Sequence, residues 1–204
     1  MRLYLSFIIL FSFSAYGQKS DSVLIIGNYA SLCIEDSPLA KSKELPDSLV
    51  SFQAIFVFSN STTTLSDSDV DRLIDFVEAG GGLYLGAENW PLQAESNQMT
   101  KRLYLKESFG EYQADDAEIS ASNGNLELDS LDNVPAGSTT VAFPMDYRLR
   151  VEAWVDDQPL ILSGALERGK VIIDGGYSRF YCDQRSETTD QLFQSFMAFL
   201  LNQD

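Results

Sequence analysis

The residues best placed for chemistry follow GGGLYLG, Gly80 to Gly86, a stretch that in many α/β enzymes leads into a nucleophile-bearing turn. Here that turn holds Ala87, Glu88 and Asn89, so it offers neither serine nor cysteine. The chain contains no histidine, which removes Ser-His-Asp and Cys-His catalysis and every histidine-based metal site. We therefore predict no catalytic residues, no metal and no cofactor.

Continuous apolar runs and one helical repeat predict the elements that position this turn. Ser22 to Tyr29 and Gln53 to Ser61 are typical of buried parallel strands. Ser66 is a good N-cap for a helix that ends near Gly80, and the strand Gly82 to Gly86 follows almost at once. Strand, helix and strand with short joints predict a βαβ unit, and hence an α/β fold.

The second half of the sequence predicts an antiparallel portion. A polar excursion follows Tyr112, a hairpin turns at Glu167-Arg168-Gly169, and the chain closes with a helix over Thr188 to Asn202. Three further expectations are a short helix near Leu39 to Glu44, a helix over Pro91 to Phe109, and an exposed or edge strand over Arg148 to Val155.

The turn and the closing segment GKVIIDGGYSRFY carry a resemblance to a known family. The chain resembles the class I glutamine amidotransferase-like superfamily, and more narrowly a poorly characterised branch in which a GA-acid-Asn turn replaces the nucleophile elbow. The family pattern Leu-Gly-x-Cys falls on Leu85, Gly86, Ala87 and Glu88, so Glu88 stands where the nucleophile would be. The resemblance implies a three-layer flavodoxin-like sandwich, with a mainly parallel sheet and helices on both faces. Because the catalytic pair is missing, it implies no glutaminase activity.

The strand order implied by this resemblance brings four polar strand ends to one cleft. Ligands of open α/β sheets bind at the carboxyl ends of the strands. Two alternatives compete with ligand contact: Glu88 accepts hydrogen bonds from turn amides or from the N-terminus of the next helix, or Arg179 pairs with Asp174 or Asp183. The candidate ligand-binding residues are Asn28, Tyr29, Asn60, Glu88, Asn89, Asp174, Tyr177, Ser178 and Arg179.

The N-terminus predicts export. After Arg2, the apolar run LYLSFIILFSF and the small residues Ala15 and Gly17 are typical of a signal peptide over residues 1–17, cleaved before Gln18. An uncleaved membrane anchor is the alternative. We expect one domain over residues 18–204, periplasmic or secreted, with no membrane span after cleavage.

Charge and cysteine content limit the partners. The full chain has a formal net charge of −16, which becomes −17 once Arg2 is removed with the signal peptide. A field of this sign repels nucleic acid. In an oxidising compartment Cys33 and Cys182 either form a disulfide or remain two unpaired core thiols, and the sequence leaves both open.

Together these features favour a non-catalytic, exported binding or interaction module whose partner is a small ligand or an envelope protein. One alternative is a hydrolase that uses Glu88 with a divalent cation, held by Glu88, Asn89 and Asp174. Another is a structural component of an envelope protein complex, in which the negative charge would match a basic partner.

Overall fold

The computed structural model describes residues 23–34, 39–120, 124–128, 130–131 and 133–202. The predicted signal peptide, residues 1–17, lies outside them. The strands are β1 (Val23–Gly27), β2 (Leu39–Ser42), β3 (Ala54–Phe58), β4 (Gly82–Gly86), β5 (Phe109–Tyr112), β6 (Asp116–Ile119), β7 (Val134–Pro135), β8 (Thr140–Ala142), β9 (Leu149–Val155), β10 (Gln158–Leu166) and β11 (Gly169–Asp174). The helices are α1 (Asp67–Glu78), α2 (Ala94–Arg102), a 3-10 helix (Tyr177–Phe180) and α3 (Glu187–Leu201).

Nine of these strands form one sheet within the described residues, in the order β2-β1-β3-β4-β11-β10-β9-β6-β7. The pairs from β2 to β11 are parallel, and those from β11 to β7 are antiparallel. β5 and β8 form a separate antiparallel pair. This confirms the predicted α/β class, with a parallel portion built first and an antiparallel portion in the second half.

The central strands β1, β3 and β4 are apolar along their length because both faces of the sheet are covered there. Successive side chains of a strand point to opposite faces. Phe56 and Tyr84 therefore face α3, where they pack with Phe193 and Phe196. The residues next to them in each strand face α1 and α2. There they form a second hydrophobic core with Val70, Leu73, Val77 and Met99. The sheet is the middle of three layers.

Helix α1 begins and ends where its sequence predicts. Ser66 accepts a hydrogen bond from the backbone N–H of Asp69, and the Asp69 carboxylate accepts from the backbone of Ser66, which completes a capping box. Gly80, with φ of 101°, lies in the left-handed region just after the helix and allows the chain to turn into β4.

Three local predictions are wrong. The segment expected as a helix near Leu39 to Glu44 contains β2, because Leu39 pairs in parallel with Val23 at the sheet edge. The helix expected over Pro91 to Phe109 is limited to α2, because backbone bonds such as Leu92 N–H to the Asn89 carbonyl fold the preceding residues into turns. β9 is an internal strand, since β10 and β6 cover its two sides. Among the described residues, no helix is long and apolar enough to cross a bilayer.

Candidate functional site

Four parallel strands end in register at one edge of the sheet. Gly27 pairs with Phe58, Phe58 with Gly86, and Gly86 with Asp174. Backbone bonds continue this row one residue further, from Ser59 N–H to the Gly86 carbonyl at 3.0 Å and from Ala87 N–H to the Asp174 carbonyl at 2.7 Å. The four polar strand ends singled out in the sequence therefore lie along one edge.

The 3-10 helix crosses this edge and connects the ends of β1 and β3 through hydrogen bonds. The Tyr177 hydroxyl donates to the Ser59 carbonyl at 2.7 Å and accepts from Asn28 Nδ2 at 3.1 Å. Burial raises the pKa of the Tyr177 phenol, so the hydroxyl stays protonated and remains a donor. Tyr29, next along the chain, is half-buried and packs against the α3-side core.

Asp174 and Arg179 form a buried ion pair with no exposed side-chain surface. Arg179 Nη2 lies 3.2 Å from Asp174 Oδ1, and the Tyr84 hydroxyl donates to Asp174 Oδ2 at 2.7 Å. Gly176 N–H donates to Asp174 Oδ1 at 3.0 Å. Burial, and then the Asp174 charge, raise the pKa of Tyr84. Within the described residues, Arg179 Nε has no hydrogen-bond partner.

Glu88 is also buried, with only 2% of its surface exposed. Its Oε1 accepts from the backbone N–H of Ser178 at 2.7 Å, and Thr139 Oγ1 lies 3.5 Å from its Oε2. Burial raises the pKa of Glu88 from 4.5 to about 7, although the Ser178 hydrogen bonds and the Arg179 charge oppose this rise. The amide that donates to Glu88 thus belongs to Ser178, 90 residues further along the chain, and not to its own turn or the next helix.

A third buried carboxylate, Glu95, holds Asn60, and no pattern in the sequence predicted it. Glu95 Oε2 accepts from the Asn60 backbone N–H at 2.6 Å, and Glu95 Oε1 accepts from Asn60 Nδ2 at 2.9 Å. The backbone and hydroxyl of Thr64 also donate to Glu95 Oε1, at 2.9 and 3.0 Å. Asn60 is therefore engaged with α2. Asn89 is half-buried, and its carbonyl accepts from Leu92 N–H at 2.9 Å.

The segment between β7 and β8 covers the 3-10 helix at this edge of the sheet. The Ala136 carbonyl accepts from Arg179 Nη2 at 2.7 Å, and Ser138 N–H donates to Ser178 Oγ at 2.8 Å. Gly137, with φ of 110°, passes so close that a Cβ atom would lie 2.9 Å from the Ser178 hydroxyl. In the sequence this segment is distinguished only by its polar composition, so its role as a cover could not be predicted.

Beside this edge, the Sγ atoms of Cys33 and Cys182 are 2.10 Å apart and form a disulfide. The bond links the loop after β1 to the segment after the 3-10 helix. Leu32 and Tyr181 form an isolated antiparallel bridge next to it. The 3-10 helix that carries Tyr177, Ser178 and Arg179 is thus fastened covalently to the β1 end of the sheet.

The structure brings together most of the predicted residues, but as a packed cluster and not around an open cleft. Glu88, Asp174, Tyr177, Ser178 and Arg179 are each no more than 2% exposed. Asn28 joins them through Tyr177, whereas Asn60 bonds to Glu95. Across the described residues, no three or more Cys, His, Asp or Glu side chains are arranged to hold a metal ion.

Comparison with known proteins defines the fold alone. The sequence matches no family model, and no curated protein is significantly similar to it. The structure is similar to a cytoplasmic protein of Salmonella typhimurium (TM-score 0.60, 11% identity, 89% of this chain and 99% of that one). It is also similar to the mmIFT52 N-terminal domain (TM-score 0.65, 9% identity, 89% and 98%). A putative ThuA-like protein from Bacteroides uniformis matches with a TM-score of 0.58 and 10% identity over 90% of this chain and 92% of its own. These similarities are consistent with a flavodoxin-like α/β fold.

Proposed function

We propose that this chain is a non-catalytic, exported binding module built on an amidotransferase-like scaffold. One observation carries the proposal: the polar groups at the strand ends bond to one another and are buried. Asp174 is engaged by Arg179 and Tyr84, and Glu88 by Ser178. A general base or nucleophile must reach a substrate atom, and neither carboxylate is open to one.

The chemistry of position 88 supports the absence of glutaminase activity. Glutamine hydrolysis by the family uses a cysteine thiolate activated by histidine, and this chain has glutamate at the position and no histidine. Burial also raises the pKa of Glu88, which favours the protonated form at neutral pH more than in an ordinary glutamate, and a protonated carboxyl is a weak nucleophile.

The rival, a cation-assisted hydrolase using Glu88, Asn89 and Asp174, fits this geometry less well. A divalent cation needs several converging oxygen ligands. Asp174 already faces the Arg179 guanidinium, with Nη2 at 3.2 Å, and a cation at that carboxylate would be repelled by it. One Glu88 oxygen is occupied by the Ser178 amide.

Two features support export. The first is the predicted signal peptide over residues 1–17. The second is the disulfide between Cys33 and Cys182, because disulfides persist mainly in oxidising compartments such as the periplasm or the extracellular space.

A catalytic screen tests the proposal. Purified protein is assayed with glutamine, and with nitrophenyl esters and glycosides, in the presence and absence of Mg²⁺ and Ca²⁺. We expect no turnover above that of Glu88→Gln, a variant that keeps the side-chain shape and an acceptor for the Ser178 amide. Turnover by the wild type that disappears in a folded Glu88→Gln variant would contradict the proposal.

The second candidate function, a component of an envelope protein complex, is favoured by an exposed apolar surface. Tyr104, Met145 and Tyr147 are 88%, 69% and 97% exposed. The Arg148 guanidinium holds their two loops together by donating to the Leu103 and Tyr104 carbonyls at 3.2 and 3.0 Å. Capture of envelope proteins by the wild type, but not by a Tyr104→Ala/Tyr147→Ala variant, tests this candidate.

A further inference from the structure

A groove lies outside the packed strand ends, between the beginning of α1 and α2. Its volume is about 860 Å³, within the usual range for small-molecule sites, and Trp90 and Pro91 form part of its wall. We propose that this groove binds a neutral saccharide, with the Trp90 indole as the stacking surface. The inference rests on the proposed binding function and names its ligand class.

Trp90 has the exposure and the fixed backbone that a stacking platform needs. Its side chain is 72% exposed, although an indole is among the largest apolar groups in a protein. Hydrogen bonds on both sides hold its segment: Glu88 N–H donates to the Leu92 carbonyl at 2.8 Å, and Gln93 N–H donates to the Pro91 carbonyl at 2.9 Å. The apolar C–H face of a pyranose ring would remove indole surface from water, with little ordering of the backbone.

The side-chain amides of Gln93 and Asn97 line the groove beside this ring, and that of Asn97 has a fixed orientation. Asn97 Oδ1 accepts from both the backbone N–H and the hydroxyl of Ser108, each at 2.9 Å. Gln93 Oε1 lies 2.6 Å from the same hydroxyl, whose single proton can be donated to only one of the two amides. Because the Ser108 backbone N–H can only donate, it fixes Asn97 Oδ1 as the acceptor and leaves the Asn97 NH₂ group to donate to a ligand, for which sugar hydroxyls are suitable acceptors.

The charges around the groove favour a neutral ligand. Lys101 pairs with Glu107 at 2.8 Å, and Arg102 pairs with Asp71. With Asp67, the lining carries two cations and three anions. Paired charges offer both donors and acceptors, which suits hydroxyl groups, while the excess negative charge disfavours phosphates and acidic polymers. A concave polar groove also suits a sugar better than it suits an apolar protein surface.

Affinity electrophoresis in native gels tests the proposal with named probes. The gels contain the neutral polysaccharides laminarin, xylan, galactan or starch, or the polyanion pectin. We expect at least one neutral polysaccharide to retard the wild type, with the apparent Kd at least tenfold higher in Trp90→Ala. Trp90→Phe, which keeps an aromatic face, should retain part of the binding. Tyr147→Ala removes an aromatic side chain that is even more exposed than Trp90 but lies outside the groove, and it should bind as the wild type does.

Three outcomes would overturn the saccharide site: no retardation by any neutral polysaccharide, retardation by pectin alone, or unchanged binding in a folded Trp90→Ala variant. Capture of an envelope protein that depends on Trp90, without saccharide binding, would assign the groove to a protein partner and equally overturn it. Glu88→Gln should bind the saccharide as the wild type does. Glu88-dependent turnover would therefore refute the non-catalytic function while leaving the groove's ligand intact.

Discussion

Replacement of Glu88 by glutamine should change how stability depends on pH. Burial raises the folded-state pKa of Glu88 to about 7, against 4.5 for an ordinary glutamate. For an acid with a raised pKa, the stabilising contribution is fully present below pH 4.5 and is lost as the pH rises through 7. By linkage, a rise in pH from 5 to 8 should therefore lower the free energy of unfolding of the wild type, relative to that of Glu88→Gln, by about 2 to 3 kcal/mol.

Urea unfolding of both proteins at pH 5, 6, 7 and 8 measures this difference directly. The difference between the two free energies of unfolding at each pH is free of the repulsion among the many surface carboxylates, because that repulsion is common to both proteins. Glu111→Gln, at an exposed position, is the matched control and should follow the wild type at every pH. A difference between wild type and Glu88→Gln that stays constant within about 0.5 kcal/mol would refute the reasoning, because Glu88 would then titrate alike in both states.

Three other perturbations test the packed strand ends and the compartment. Arg179→Met should lower the free energy of unfolding by about 3 to 5 kcal/mol, since it leaves the Asp174 charge buried without its partner. Arg102→Met, at an exposed pair, should cost much less, and equal losses would contradict this. Replacing both Cys33 and Cys182 by serine should cost about 2 to 4 kcal/mol, because the bond closes a sequence separation of 149 residues, and an unchanged urea midpoint would contradict it. Mass spectrometry of exported protein should find Gln18 as the first residue, and retention of Met1 would favour the anchored form.

Local sequence was sufficient wherever the physical cause was local. The capping box at Ser66 and the left-handed glycine at position 80 depend on residues within one helix, so both ends of α1 were predictable. Apolar runs predicted that β1 and β3 are buried parallel strands, and the strand-helix-strand order around α1 then predicted the α/β class. A search for apolar runs could not find β2, which is a polar strand held in the sheet by its pairing with β1.

The identity of residue 88 and the absence of histidine came from the sequence, and they argue against amidotransferase chemistry without any coordinates. What Glu88 contacts was decided only by the tertiary structure. Its amide donor, Ser178, is 90 residues away, and the segment that covers it lies between β7 and β8, where no local pattern indicates a cap. Burial of a carboxylate depends on every element packed around it, so neither its raised pKa nor the closure of the cleft could be predicted from the residue and its neighbours. Trp90 is the opposite case to Glu88. A tryptophan is usually largely buried, and only the tertiary arrangement of α1 and α2 leaves this indole exposed beside a groove.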